Sequence, residues 1–218
     1  MKNSRWILTL VLMLTITPTF AQESADPGMD PAGQGPGEAG LTAEMQAWMA
    51  AGIPNEHHEN LSRMAGDWDM HLKMWMEPGT PPMEFTGETH NTMIMGGRFL
   101  QSQISTELGG EQLKSMGLEG YDNVKKKHIS LFIDNSGTAM QVSEGECSED
   151  GKVITSWPES LDPASGKITK MKTKLTIISD DRYLFEAWEQ GPDGEHIQKA
   201  EINHIRKSDT RTGEGDRE

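Results

Sequence analysis

The chain has 218 residues, of which 34 are acidic and 20 are basic, so its formal net charge is −14. This length allows one domain with tails or at most two small domains, and the negative charge argues against nucleic acid and anionic membrane surfaces as partners. A single cysteine excludes an internal disulfide framework, and the lack of any apolar run of about 18 residues predicts that no helix spans a membrane.

Residues 1–21 have the composition of an export signal. A short basic start is followed by an apolar stretch at 7–16 that is too short to cross a bilayer as a helix. Thr19 and Ala21 place small residues three and one positions before a signal-peptidase site. We therefore expect cleavage near Ala21 and an exported protein that is periplasmic or secreted.

The segments on either side of the predicted domain differ from it in composition. Residues 22–40 are rich in proline and glycine and have almost nothing to bury, which predicts a disordered tether. Residues 41–66 predict two short helices, for which Thr42 and Asn55 are typical N-cap residues. Residues 208–218 are charged, contain glycine and are predicted to form a disordered tail.

From residue 67 to residue 207, apolar and polar side chains alternate. This period of two is typical of strands with one buried face, and Trp68, Met70 and Leu72 show it clearly. Clusters of glycine, proline, asparagine and aspartate separate the alternating runs, as turns require. The predicted strands are 67–76, 83–95, 97–108, 112–121, 127–134, 138–147, 152–158, 167–178, 182–189 and 195–206.

The arrangement of these strands follows from their connections. Short connections predict antiparallel pairing between neighbours, and the absence of crossover helices excludes a parallel sheet. A meander of ten strands would leave two long unpaired edges, which closure into a barrel removes. We therefore predict an all-β fold, an up-and-down antiparallel β-barrel of about ten strands with a short N-terminal helical segment. A β-sandwich is the alternative, although it usually has longer Greek-key connections.

Several short motifs between residues 53 and 207 together resemble the bacterial family called domain of unknown function 1579. In chain order they are IPNEH at 53–57, MAGDWD at 64–69, EPGTPP at 77–82, MGGRFLQ at 95–101, GYDNVKKK at 120–127 and GPDG at 191–194. Because that family is uncharacterised, the resemblance implies an architecture and no particular activity.

The Gly66-Asp67-Trp68 step also resembles the Gly-x-Trp opening of lipocalin-type barrels. In those barrels a short helix covers one end, and the tryptophan packs under an arginine of the last strand. Trp68 and Arg206 occupy the corresponding positions, so the resemblance implies a structural cation–π pair. Barrels of this kind include lipocalins, fatty-acid binders and the nitrobindins that hold haem.

The parity of each strand predicts which side chains face the barrel interior. Eight strands already enclose a small cavity, so ten leave room for a ligand, and methionines suit adaptable apolar pockets. We expect a small hydrophobic or amphipathic molecule to bind there. The predicted ligand-binding residues are Met70, Met74, Phe85, Thr89, Asn91, Met93, Met171, Thr173, Tyr183, Phe185, Gln198 and His204. Alternatively, these side chains fill the barrel. The protein would then be a cell-envelope interaction protein that contacts its partner through its acidic surface.

Other chemistry has less support in the sequence. His204 has inward parity and replaces a tyrosine that the resembled family normally carries, so a haem-binding or enzymatic barrel using His204 is a second hypothesis. No nucleophile elbow, P-loop or dinucleotide fingerprint occurs, which favours a binding protein over an enzyme. Adjacent histidines point about 100° apart on a helix, so residues 56–59 are predicted to form a solvated face, and no metal site is predicted.

Overall fold

The structure is a computed structural model that describes residues 42–162, 165–191 and 193–208. The predicted signal peptide at 1–21, the predicted tether at 22–40 and all but the first residue of the predicted tail lie outside the described residues. The described elements are α1 (Ala43–Ala51), α2 (Glu56–Ser62), β1 (Gly66–Met74), β2 (Met83–Ile94), β3 (Phe99–Leu108), β4 (Glu111–Asp122), β5 (Lys127–Asp134), β6 (Gln141–Cys147), β7 (Val153–Ser156), β8 (Glu159–Leu161), β9 (Ile168–Ser179), β10 (Arg182–Gln190) and β11 (His196–Arg206). Within these ranges, no helix is both long enough and apolar enough to cross a bilayer.

Ten of the strands close into an antiparallel up-and-down barrel, which confirms the predicted fold class. Around the barrel the order is β1 to β7, then β9, β10 and β11, and β11 pairs back with β1. The three-residue strand β8 pairs with the start of β9, while β7 pairs with its middle. Closure leaves both β1 and β11 paired on two sides, so the β-sandwich alternative is wrong.

The strand bounds depart from the predicted ones where the backbone turns. Strand β3 begins two residues later than predicted, because Met95 to Gly97 have φ values between 51° and 80° and form a turn. The predicted strand 152–158 corresponds to β7, which ends before Pro158 because proline lacks the amide that a continuous ladder needs. The short strand β8 that follows was not predicted.

Both helices begin at the predicted caps. The Thr42 hydroxyl accepts a hydrogen bond from an amide of the first turn of α1 at 3.2 Å, and Asn55 Oδ1 accepts one from the His57 amide at 3.1 Å. His58 Nδ1 accepts from the Asn55 amide at 3.1 Å and completes a capping box. His58 is only 5% exposed. The prediction that residues 56–59 form a solvated face is therefore wrong for His58.

Helix α2 and the turn after it cover the end of the barrel where β1 begins, which we call the closed end. Leu61 and Met64 are buried there against Trp68, Leu100 and residues that begin or end other strands at this end. This cluster is the hydrophobic core of the protein. The opposite end of the barrel, where β1 ends, is called the far end below.

Two polar side chains fasten the linker between α1 and α2 to turns at the closed end. Arg98 donates from Nε and Nη2 to the carbonyl oxygen of Gly52, at 3.0 and 2.7 Å. Asn123 donates from Nδ2 to the carbonyl oxygens of Ala51 and Ile53, at 2.9 and 2.8 Å. These contacts hold the helical segment against the barrel, because they satisfy carbonyl groups at the end of α1.

Replacing Asn123 with alanine should lower the free energy of unfolding by about 1–3 kcal/mol, because two linker carbonyls lose their donor. Urea denaturation followed by fluorescence measures this change, and limited proteolysis should cut the linker faster. The matched control is Val124→Ala, since Val124 is 77% exposed in the same turn and its truncation should cost less than about 0.5 kcal/mol. Equal stability of the two variants would show that the linker contacts do not hold the helices.

Candidate functional site

The barrel encloses a cavity of about 370 Å³. Small-molecule sites typically have volumes of about 300–1,000 Å³, so the cavity has the size of a ligand site, and the interior is not filled by side chains. Its apolar wall consists of Met64, Met70, Leu72, Leu100, Ile104, Leu113, Leu118, Leu131, Phe132, Ile154, Pro158, Met171, Leu175, Phe185, Ala187 and Ile202, with Gly117 between them. Its polar wall consists of Thr89, Asn91, Ser102, Thr106, Ser115, Glu119, Ser130, Gln141, Ser143, Ser156, Thr173, Tyr183 and His204.

The polar wall is dominated by small hydroxyl side chains. Ser130 and Ser143 lie opposite each other on β5 and β6, and their hydroxyl oxygens are 2.7 Å apart. None of the lining residues in the described part of the chain is a lysine or an arginine. Glu119 is the acidic residue of the wall, and burial raises the pKa of its carboxyl group. The cavity therefore has no basic side chain to neutralise a ligand's negative charge.

Trp68 belongs to the core cluster at the closed end of the barrel. It is 1% exposed, and its Nε1 donates to the carbonyl oxygen of Met64 at 2.9 Å. The guanidinium carbon of Arg206 lies 4.1 Å from the centre of the indole ring, and the ring of Tyr183 meets the indole edge-on at 4.7 Å. Arg206 also donates to the carbonyl oxygen of Ala65 at 2.7 Å. The arginine thus joins the last strand to the segment that enters β1.

His204 and Tyr183 lie side by side on the cavity wall, and Tyr183 also contacts Trp68. Their rings stack with centres 4.0 Å apart and planes 11° apart. Asn91 Nδ2 donates to the Tyr183 hydroxyl at 3.1 Å and to the carbonyl oxygen of Met64 at 2.8 Å. Burial lowers the pKa of His204 to about 3 and raises the pKa of Tyr183. Both side chains are therefore neutral near pH 7.

Eight of the twelve residues predicted to bind a ligand lie on the cavity wall. They are Met70, Thr89, Asn91, Met171, Thr173, Tyr183, Phe185 and His204. The structure brings these residues together from β1, β2, β9, β10 and β11. Their contact with a ligand remains a prediction.

The other four predicted residues are outside the cavity lining. Met93 packs against the core cluster at the closed end. Met74 is the last residue of β1, where it pairs with Met83, and Phe85 lines a separate hollow together with His71 and Lys73. Both positions keep inward parity but lie toward the far end of the barrel.

Gln198 departs from the predicted parity because of a β-bulge. The register between β10 and β11 shifts after Ala187, so that Gln198 pairs with Trp188. Lys172 lies between two cavity-lining residues of β9, so its side chain points outward. Its ammonium group is 5.9 Å from the ring centre of Trp188, which places Trp188 on the outer face as well. Gln198 accordingly belongs to the outer face, since a bulge reverses the alternation beyond it.

The sequence pattern missed the part of the wall that β3 to β7 contribute. Ser102, Ser115, Gly117 and Ser130 face the cavity although they are small or polar. An apolar–polar pattern assigns such residues to solvent, so it does not mark these four as facing inward. Ser102 could have been identified from the apolar Leu100, which is buried. The two residues are two positions apart on β3, and such residues share one face of a strand.

The chain matches, over residues 53–206, the family described as "Protein of unknown function (DUF1579)". It belongs to the DUF1579 family. The resemblance predicted from the short motifs is thereby confirmed. A comparison with curated proteins gives no match.

A comparison with solved structures gives matches to this DUF1579 protein. Rv2717c from M. tuberculosis superposes with a TM-score of 0.54 at 17% identity, covering 72% of this chain and 100% of that chain. A redesigned β-barrel, b11L5F_LGL, has a TM-score of 0.38 at 13% identity, covering 68% of this chain and 96% of its own. At this level of identity the likeness to Rv2717c shows the barrel fold alone.

The Gly66-Asp67-Trp68 motif of this DUF1579 protein has a steric basis. Gly66 has a φ of 117°, and a Cβ at this position would lie 2.7 Å from Nη1 of Arg206. A side chain here would strain the backbone and displace the arginine from the indole of Trp68. The motif therefore combines the entry into β1 with the packing of the closed end.

Proposed function

We propose that this DUF1579 protein is exported and binds a small, uncharged amphipathic molecule inside its barrel. The cavity of about 370 Å³ carries the proposal, because its apolar wall is interrupted by hydroxyl side chains. An apolar ligand body would remove that wall from water, at roughly 25 cal/mol for each Å² buried. The export part of the proposal rests on the sequence of residues 1–21.

The preference for an uncharged ligand follows from the electrostatics of the cavity. Burying a carboxylate or a phosphate without a cationic partner costs several kcal/mol, and the lining residues within the described ranges offer no such partner. Serine and threonine hydroxyls both donate and accept hydrogen bonds. They suit a ligand with hydroxyl, carbonyl or ether groups better than a fatty-acid carboxylate.

An unpaired polar atom supports a place for the polar end of the ligand. Asn91 Oδ1 is buried without a hydrogen-bond partner among the described residues, and Asn91 lines the cavity. Buried polar atoms are normally paired, so a group that donates a hydrogen bond here gains binding free energy. We place the polar end of the ligand near Asn91 on β2.

The electrostatics of the cavity bear on the haem hypothesis as well. His204 lies on the cavity wall, and burial keeps its imidazole neutral near pH 7. Haem carries two propionate carboxylates, and the described lining residues include no lysine or arginine to pair with them. The lining therefore favours the uncharged organic ligand over haem.

The proposed ligand can be sought directly in protein purified from producing cells. Native mass spectrometry should show a bound species of small mass, and solvent extraction should release an uncharged amphipathic molecule. An absorption band of haem would instead establish the haem alternative. A protein that carries nothing and binds no hydrophobic probe would contradict the proposal.

Filling the cavity from its wall should abolish binding. A Cβ at Gly117 would meet only Ser102, at 3.6 Å, so the phenyl ring of a Gly117→Phe variant should extend into the open interior. We expect at least tenfold weaker binding of a hydrophobic fluorescent probe, from fluorescence titration, with a change in stability of at most about 1–3 kcal/mol.

The matched control for this substitution is Met116→Phe. Met116 precedes Gly117 on β4 and has the opposite parity, so its side chain lies on the outer face. This variant should bind the probe like the unmodified protein. Unchanged affinity in Gly117→Phe would place the probe outside the barrel and contradict the proposed site.

A further inference from the structure

Three side chains that bear metal-ligating atoms meet at the closed end of the barrel, beside α2. They are His57 from α2, His128 from β5 and Cys147 from β6. One ligand atom of each, an imidazole nitrogen or the thiol sulfur, lies within 4.8 Å of the other two. They lie far apart in sequence, so no linear motif reveals the cluster.

Two nitrogen atoms of this cluster lack hydrogen-bond partners among the described residues. His128 is 1% exposed, its Nδ1 lies beside Oε1 of Glu119, and its Nε2 makes no hydrogen bond to any described residue. His57 Nδ1 is also buried without a hydrogen bond. Since buried polar atoms are normally paired, two unpaired imidazole nitrogens in one place point to a ligand that binds them.

The imidazole rings are held in place by Tyr121. The ring of His57 stacks on Tyr121 with centres 3.8 Å apart and planes 16° apart. The ring of His128 meets Tyr121 edge-on at 5.1 Å and His57 at 5.5 Å. A ring orientation fixed by packing reduces the entropy that binding must overcome, so the nitrogen atoms are preorganised.

Glu119 provides the outer carboxylate that metal-bound histidines commonly have. Its Oε1 lies 3.3 Å from His128 Nδ1. A carboxylate at Nδ1 fixes the tautomer of a histidine and leaves Nε2 to bind an ion. Glu119 also lines the cavity, so this cluster adjoins the wall of the proposed ligand site.

We propose that His57, His128 and Cys147 form a Zn²⁺ site at the closed end of the barrel. Thiolate and imidazole are the donors that zinc prefers, with Zn–S near 2.3 Å and Zn–N near 2.0–2.1 Å. Tetrahedral ligand atoms at these distances are roughly 3.3–3.6 Å apart, so the side chains need to approach by about 1 Å. Three protein ligands leave a fourth position for water or a small molecule, as in catalytic zinc sites.

The test is metal binding by the full-length protein after treatment with a chelator. Competition with a chromophoric chelator should show one tight Zn²⁺ per chain, and Zn²⁺ should raise the temperature of unfolding. Co²⁺ should bind with a thiolate-to-cobalt charge-transfer band. Ca²⁺ and Mg²⁺ should leave the unfolding temperature unchanged, which separates the site from the acidic surface. The readout is independent of any ligand in the cavity.

Variants of the cluster decide the assignment. Cys147→Ser and His128→Gln should each weaken Zn²⁺ binding by at least tenfold, and Cys147→Ser should abolish the cobalt band. Cys147→Ala repeats the test without a buried hydroxyl, and circular dichroism establishes that each variant is folded. Glu119→Gln should weaken binding by about tenfold while keeping the band. The control is His71→Gln, since His71 is exposed on β1.

Three results would overturn the proposal. The first is Zn²⁺ binding in Cys147→Ser that equals binding in the unmodified protein. The second is that Cu²⁺ binds and gives a thiolate charge-transfer band, while Zn²⁺ and Co²⁺ do not bind. The third is the absence of tight binding by any of these ions.

Discussion

Replacing Trp68 with alanine is expected to lower the free energy of unfolding by about 3–5 kcal/mol. The indole is 1% exposed and packs against Tyr183 and Arg206, so its removal leaves a cavity in the core. The carbonyl oxygen of Met64 also loses the donor that Nε1 provides. Urea denaturation measures the change, with Trp68→Phe as the variant that keeps an aromatic ring and should lose less.

The partnership of Trp68 with Arg206 can be measured by a double-mutant cycle. Arg206→Ala should cost less than Trp68→Ala, because its guanidinium is partly solvated. The double variant should lose less than the sum of the two single variants, by about 0.5–3 kcal/mol, since the side chains touch. Strictly additive losses would show that the cation–π contact contributes nothing to stability.

The second large effect is expected on acidification, and it comes from His204. The native protein keeps this imidazole neutral because burial lowers its pKa to about 3, whereas in the unfolded chain its pKa is near the ordinary value of 6.5. Above pH 6.5 both states are neutral, so the group adds no pH dependence. As the pH falls below 6.5, the unfolded state binds a proton that the native state does not, and stability declines.

The decline should approach about 1.4 kcal/mol per pH unit and total on the order of 4 kcal/mol by pH 3. His204→Phe keeps a ring beside Tyr183 and removes the titration. The unfolding free energy of the unmodified protein minus that of this variant should be constant from pH 8 to pH 7. It should then decrease as the pH falls further. Acid effects that both proteins share cancel in this difference. Parallel stability curves down to pH 4 would mean that the native ring becomes protonated.

The barrel was predictable because its strands carry a strong local signal. A half-buried strand must alternate, and Trp68, Met70 and Leu72 do so with little interruption. Closure was predictable because a long antiparallel meander has no other simple way to remove its edges. Strand β8 was not predicted, because three residues are too few for alternation to show.

The site was predictable only in part, because the positions of several site residues depend on how strands pair with each other and on how α2 docks. Gln198 lies beyond a bulge, and a bulge reverses parity without a mark in the alternation. Ser102 and Ser130 face inward although polar residues normally face water. His128 and Cys147 meet His57 through the pairing of β5 with β6 and the docking of α2, which only the fold defines.

The barrel closes where β1 meets β11, and Trp68 pairs directly with Arg206 across this seam. Other strand pairs of the described barrel join segments that are close in sequence and need only short loops. The seam joins opposite ends of the domain, so its loop-closure entropy is the largest, and we expect its pairing to form after the folding transition state. Contacts that form this late change the unfolding rate and leave the folding rate nearly unchanged. We therefore expect the seam to govern the lifetime of the native barrel more than the speed at which it folds.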